Sequence, residues 1–71
     1  MKRDKEYDVH HRKPKSRGGN SKLSNLVRVE KSKHIAYHKL FGNMQPKEIA
    51  AYLSEIWVDP AYELIAIRRK P

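Results

Sequence analysis

The chain has 71 residues, no cysteine, and 16 Lys and Arg against eight Asp and Glu, for a formal net charge of +8. That length suits one small domain burying about 60% of its unfolded surface, and the missing cysteines exclude disulfides and thiolate metal sites, leaving a metal held by His or carboxylate as the natural staple. No stretch approaches the ~20 apolar residues of a membrane span, and MKRDKEYD lacks the apolar centre of a secretory leader, so the expectation is a soluble, cytoplasmic protein with no membrane partner.

In chain order, Tyr7 and Val9 alternate with Glu6 and Asp8, the period-2 pattern of a short half-buried strand running into His10 and His11. Residues 12–24 then hold Pro14, Gly18, Gly19, Asn20, Ser21 and Ser24, with Leu23 alone apolar; this predicts a long loop, and long loops inside small domains tend to be functional. After Asn25, Leu26, Val27 and Val29 around Arg28 predict a second strand. Ser32 is placed to cap a helix, KHIAYHKLF, that Gly42 and Asn43 stop. A second helix is expected from Pro46, with Ile49, Leu53, Ile56 and Trp57 forming its buried stripe and Asp59-Pro60 breaking it. Residues 63–69, ELIAIRR, read as a short strand, and Trp57, Ile65 and Ile67 as core.

The charge is one-sided. Residues 1–39 carry twelve Lys and Arg against four Asp and Glu, whereas residues 40–71 carry four of each. Such a field points to a polyanionic partner, nucleic acid ahead of an anionic membrane surface. Arg12, Lys13, Lys15, Arg17 and Lys22 concentrate it in the loop, where cations lower the cost of approaching a phosphate backbone.

Four histidines are the remaining chemistry. His34 and His38 lie four apart on the predicted helix, so their rings share one face and can grip one ion; HIAYH lacks the Glu of the zinc-protease pattern, which excludes that activity. His10 and His11 are adjacent on a strand, where successive side chains point to opposite faces. One can therefore bind metal while the other, with an ordinary pKa near 6.5, takes a proton from water.

In order, HHRKPKSRGG, NLVRV and HIAYH, with the first His of HIAYH nine residues after Asn25, resemble the motif of the HNH, or ββα-metal (His-Me finger), endonucleases, and most closely the DNase domains of colicins and pyocins. The resemblance covers roughly residues 7–39; its loop from His11 to Asn25 is one residue shorter than the colicin pattern, and Arg3 falls one position from that family's upstream arginine. It implies that His10, His34 and His38 hold one divalent ion (Zn, Mg, Mn or Ni), that His11 is the general base, that Asn25 fixes the loop, and that Asp8 lies near the base and the scissile phosphate.

The expected fold class is therefore α+β: a ββα-metal unit over residues 6–41, with an added C-terminal helix and short terminal strand over 44–71, all within a single domain spanning 1–71. The C-terminal helix packs on that unit or, through Tyr52, Ile56 and Trp57, meets a second copy or another protein. The expected function is metal-dependent endonucleolytic hydrolysis of double-stranded DNA; the alternative is a non-catalytic, metal-stabilised nucleic-acid-binding module.

Overall fold

The computed structural model describes residues 6–70, so Arg3 lies outside the described residues. Strand β1 (Tyr7–His11) pairs antiparallel with β2 (Leu26–Glu30), with His10 opposite Val27 and His11 opposite Leu26. Helix α1 (Lys31–Phe41) leaves β2 without a linker, and the Lys31 N–H still donates to the Glu6 carbonyl at 2.9 Å. The hairpin and the first turn of the helix are thus one hydrogen-bonded piece. The helix starts two residues earlier than expected: Glu30 occupies the capping position without a side-chain cap, and Ser32 sits inside the first turn. Gly42 ends it at φ +56°, its N–H donating to the His38 carbonyl at 3.0 Å, a conformation that disfavours any side chain.

The strand reading is right but its buried face is the opposite one. Asp8 and His10 are half-buried, whereas Tyr7 and Val9 are 44% and 59% exposed. The Arg28 guanidinium covers the Tyr7 ring at 4.2 Å from its centroid on the outer side. Since α1 presents His34 and Tyr37 to β1, the face that closes on the helix is the one bearing the polar residues.

Between the strands, short 3-10 turns at Lys15–Arg17 and Leu23–Asn25 shape the loop. Gly18 adopts φ +91°. Gly19 is needed for another reason: its N–H donates to the Pro14 carbonyl at 2.9 Å, and a Cβ there would run into the Lys13 carbonyl.

Helix α2 (Pro46–Tyr52) opens with a proline in its first turn and a capping box, in which the Gln45 N–H donates to Glu48 Oε1 at 2.7 Å. The chain then widens into a π-helical turn over Leu53–Trp57, closed by Val58 N–H to Leu53 carbonyl at 2.9 Å. Each residue added to a turn rotates the downstream side chains by about 100°. The anticipated stripe is broken accordingly: Ile49 and Leu53 are half-buried, while Ile56 and Trp57 are 63% and 59% exposed.

Two further expectations about the C-terminal part are corrected. Residues 63–69 form no strand, the one sheet among the described residues being β1 with β2; a strand requires a neighbour, and the chain offers none there. Ile65 and Ile67, with Trp57, are not core, at 71% and 84% exposure. No described residue is fully buried. The radius of gyration is 14.5 Å, against about 11 Å for a compact chain of this length, because α2 stands off the hairpin. It is tied there by an edge contact between Phe41 and Tyr52 (6.1 Å between centroids), by Arg17 to Glu48 at 3.0 Å, and by Asn43 to Ser16 at 3.1 Å. No helix among the described residues is long and apolar enough to cross a membrane.

Substituting Gly19→Ala forces the backbone of residues 13–19 apart. Its melting temperature is expected to fall by about 4–8 °C for each kcal/mol lost, with amide shifts concentrated at Lys13 and Gly19 in an NMR spectrum; an unchanged melt would contradict the close approach.

Candidate functional site

The seam between β1 and α1 is built from imidazoles. His10, on the inward face of β1, meets His34 and His38 one helical turn apart on α1, with ring centroids 5.2 Å and 5.6 Å away and 4.6 Å between the helix pair. One nitrogen from each of the three lies within 4.8 Å of the others, and His34 Nε2 and His38 Nε2 are 3.0 Å apart. A tetrahedral ion with metal–nitrogen bonds of 2.0–2.1 Å sets its ligand nitrogens about 3.3 Å apart, so a small closure of the trio meets that geometry. His10 Nδ1 is buried with no hydrogen-bond partner, the state expected of a group whose complement is an ion. The donor set, three imidazoles, suits a divalent transition metal.

Two neighbours prepare these rings. Asp8, two residues before His10 and so on the same strand face, bonds His34 Nδ1 through Oδ2 at 3.0 Å. A carboxylate there fixes the tautomer that leaves Nε2 free to ligate. Tyr37 stands edge-on to His10 with centroids 4.9 Å apart and packs in turn on Phe41. Burial foremost, then the positive potential of His34, His38, His11 and Arg12, lowers the pKa of His10 from its ordinary 6.5. The ring therefore stays neutral, as ligation requires, further into acid.

His11 points off the opposite face of β1. With His34 and His38 it lines a cleft of about 310 Å³ that also takes in Val9, Pro14, Lys15, Ser16, Gly42 and Asn43. Its Nε2 lies 3.3 Å from Ser21 Oγ, and it is not part of the ligating trio.

Asn25 closes the loop that leads away from His11. Its Oδ1 accepts the Lys13 N–H at 2.7 Å, and its Nδ2 donates to the carbonyls of Lys13 (3.1 Å) and Asn20 (2.8 Å). Its own carbonyl accepts the Arg12 N–H at 2.8 Å. An amide alone supplies both an acceptor and two donors here, and the residue it anchors most directly is two positions from His11.

Of the five loop cations, Arg12, Lys13, Lys15 and Lys22 are exposed and make no ion pair with another described residue, while Arg17 is held by Glu48. The Glu48 carboxyl lies below its ordinary pKa, chiefly through the Gln45 N–H, which outweighs the opposing effect of burial, with Arg17 lowering it further. Asp8 is placed differently from expectation: it bonds the helix ligand His34 and sits on the strand face away from His11, because two residues along a strand return to the same side. Sequence reasoning missed Tyr37, Ser21 and Glu48. Tyr37 was detectable as the neighbour of His34 at helical spacing, and Glu48 as the third residue after Gln45 in a capping box; nothing local marks Ser21.

Comparison with known protein families, with curated proteins and with solved structures finds no match to this chain. The functional reading therefore rests on the residues themselves.

Zinc added at a hundredfold excess over its dissociation constant is expected to add about 2.7 kcal/mol of stability to a protein that binds it only when folded, read as a rise in melting temperature that His34→Ala abolishes. In the metal-free protein, the folded His10 takes up a proton less readily than the unfolded chain does, so stability present above pH 6.5 falls as pH is lowered through and below that value; a melt that is flat from pH 7 to 5 would refute this. Asn25→Asp keeps the acceptor but faces the Lys13 and Asn20 carbonyls with a second one, so it is expected to cost as much as Asn25→Ala, about 1 kcal/mol in chemical denaturation.

Proposed function

We propose that the chain is a metal-dependent endonuclease of the HNH type, hydrolysing phosphodiester bonds in DNA. The observation that carries this reading is the convergence of three histidines on a common point while a fourth, excluded from the trio, shares a cleft with two of them. A purely structural metal site has no use for that fourth imidazole, and a hydrolytic one requires a base. The ordered match of HHRKPKSRGG, NLVRV and HIAYH to the HNH pattern adds the reaction class.

His10, His34 and His38 would hold a single Zn, Mg, Mn or Ni ion, which when bound supplies a Lewis acid toward a phosphate oxygen and the departing 3′-oxygen. The work of the chain is otherwise done by its own groups. His11, with Nε2 beside Ser21, offers Nδ1 to take a proton from the attacking water. Asn25 restrains the backbone that carries His11, and Asp8 acts as a positioning residue by orienting His34. Arg12, Lys13, Lys15 and Lys22 receive the phosphates flanking the scissile one, with Arg17 joining them when it leaves Glu48.

His11→Ala is expected to keep zinc binding and the zinc-dependent rise in melting temperature while losing nicking of supercoiled plasmid by at least about a hundredfold, the usual worth of a general base. Failure of the wild type to nick with any of the four metals, alongside a retained gel shift of the same DNA, would select the non-catalytic binding module instead. Replacing Lys15 and Lys22 with Ala is expected to weaken DNA binding across sequences and to lower the slope of log K against log salt by about 2 units, about one per phosphate contact.

A further inference from the structure

The chain beyond the π-helical turn takes no part in the site. Ser54 Oγ accepts the Leu64 N–H at 2.8 Å and donates to the Leu64 carbonyl at 3.4 Å, pinning the segment's start. From there it runs back beside α2: residues 63–66 line a cleft with Lys47, Ala50, Ala51 and Ser54, and residues 66–68 line the next with Gln45, Pro46 and Lys47. Ser54 to Pro46 is about 12 Å of helix at 1.5 Å per residue. Residues 64–68 span it in four steps, which needs about 3 Å per residue, the rise of an extended strand.

This extended segment has no ladder. No backbone group of residues 65–70 bonds to another described residue. Leu64 and Ala66 are the more shielded, at 41% exposure and half-buried, while Ile65 and Ile67 between and after them are 71% and 84% exposed, the alternation of an extended segment. An isolated extended segment with open N–H and C=O groups and two exposed isoleucines is a template for strand pairing.

We propose that residues 63–69 pair antiparallel with the same residues of a second copy of this chain, about a two-fold axis through Ala66. The sequence is self-complementary in that register. Glu63, the sole acidic residue between positions 60 and 70, falls opposite Arg69 of the second copy, and Ile65 falls opposite Ile67, each pairing occurring twice by symmetry. The axis through Ile65 would set Glu63 against Ile67, and the axis through Ile67 would set it against Pro71. A shift by one residue would turn the isoleucines of one copy to the face carrying Leu64 of the other. The basic ends are also kept apart: Arg69 of one copy lies six residues from Arg69 of the second, about 20 Å, beyond the screening length at physiological salt. Both copies of α2 then cover the same side of a two-stranded ribbon. This pairing is independent of the nuclease reading, since it uses none of its residues.

Sedimentation equilibrium of the full chain is expected to give a monomer–dimer equilibrium. Glu63→Arg and Arg69→Glu should each weaken the dimer about tenfold, by placing like charges opposite each other at both ends of the ribbon, and the double exchange should restore it to within about threefold. Unchanged circular dichroism and zinc binding in the variants show that the hairpin and α1 are intact. A chain that remains monomeric to about 500 μM, where even a submillimolar affinity would show, overturns the proposal and leaves the segment to a different partner. A dimer that ignores the single changes, or that the double exchange does not rescue, overturns it equally by placing the interface elsewhere.

Discussion

Three imidazoles and one carboxylate join the hairpin to α1 where an ordinary small domain would use aliphatic side chains. Asp8 and His10 occupy the inward face of β1, His34 and His38 the facing turn of α1, and Tyr37 fills the gap beside His10. Apolar contacts attract without regard to geometry, but this seam holds only if each ring keeps its tautomer and orientation. With no described residue fully buried, little else can compensate. The stability of the ββα unit and the order of its site therefore depend on the same few atoms, and an ion bound there would contribute to folding as well as to chemistry.

The loop is constrained from the other side of the sheet. Asn25 draws the backbone of Lys13 and Asn20 together, and Gly19 lets the chain pass against Lys13. Together they present cations on a fixed frame next to His11. The pair between Arg17 and Glu48 extends that frame to α2. Glu48 answers for two interactions at once, the capping of α2 and the hold on Arg17, which is why its carboxyl resists protonation.

The order of strand, loop, strand and helix could be read from the chain because each element carries local punctuation: Pro14 and the glycine pair, Asn25, and Gly42. The grouping of the three histidines was legible in part: the spacing of four put His34 and His38 on one helix face and strand alternation set His10 and His11 on opposite sides, while the choice of His10 came from the resemblance. What local pattern could not give was orientation. Tyr7 and Val9 look like the buried side of β1 until α1 is seen to cover the other, and Asp8 looks like a neighbour of His11 until the pleat returns it to His34. The C-terminal part misled for a different reason. Ile49, Leu53, Ile56 and Trp57 fit a regular helix, but the widened turn at Leu53–Trp57 changes the angular step partway along, and ELIAIRR has a strand's composition without a neighbour in its own chain.

A seam made of polar rings also reverses the usual map of which positions tolerate change. In most domains, aliphatic residues are the intolerant ones and polar residues drift freely. Here Val9, Val27 and Leu23 are well exposed and can vary at little cost to the hairpin, whereas Asp8, His10, Asn25 and His34 admit no substitute with the same hydrogen-bonding pattern. Mutational scanning of this chain would therefore find its intolerant positions in the hairpin and α1 among polar rings and amides, with the aromatic run of Tyr37, Phe41 and Tyr52 as their apolar counterpart.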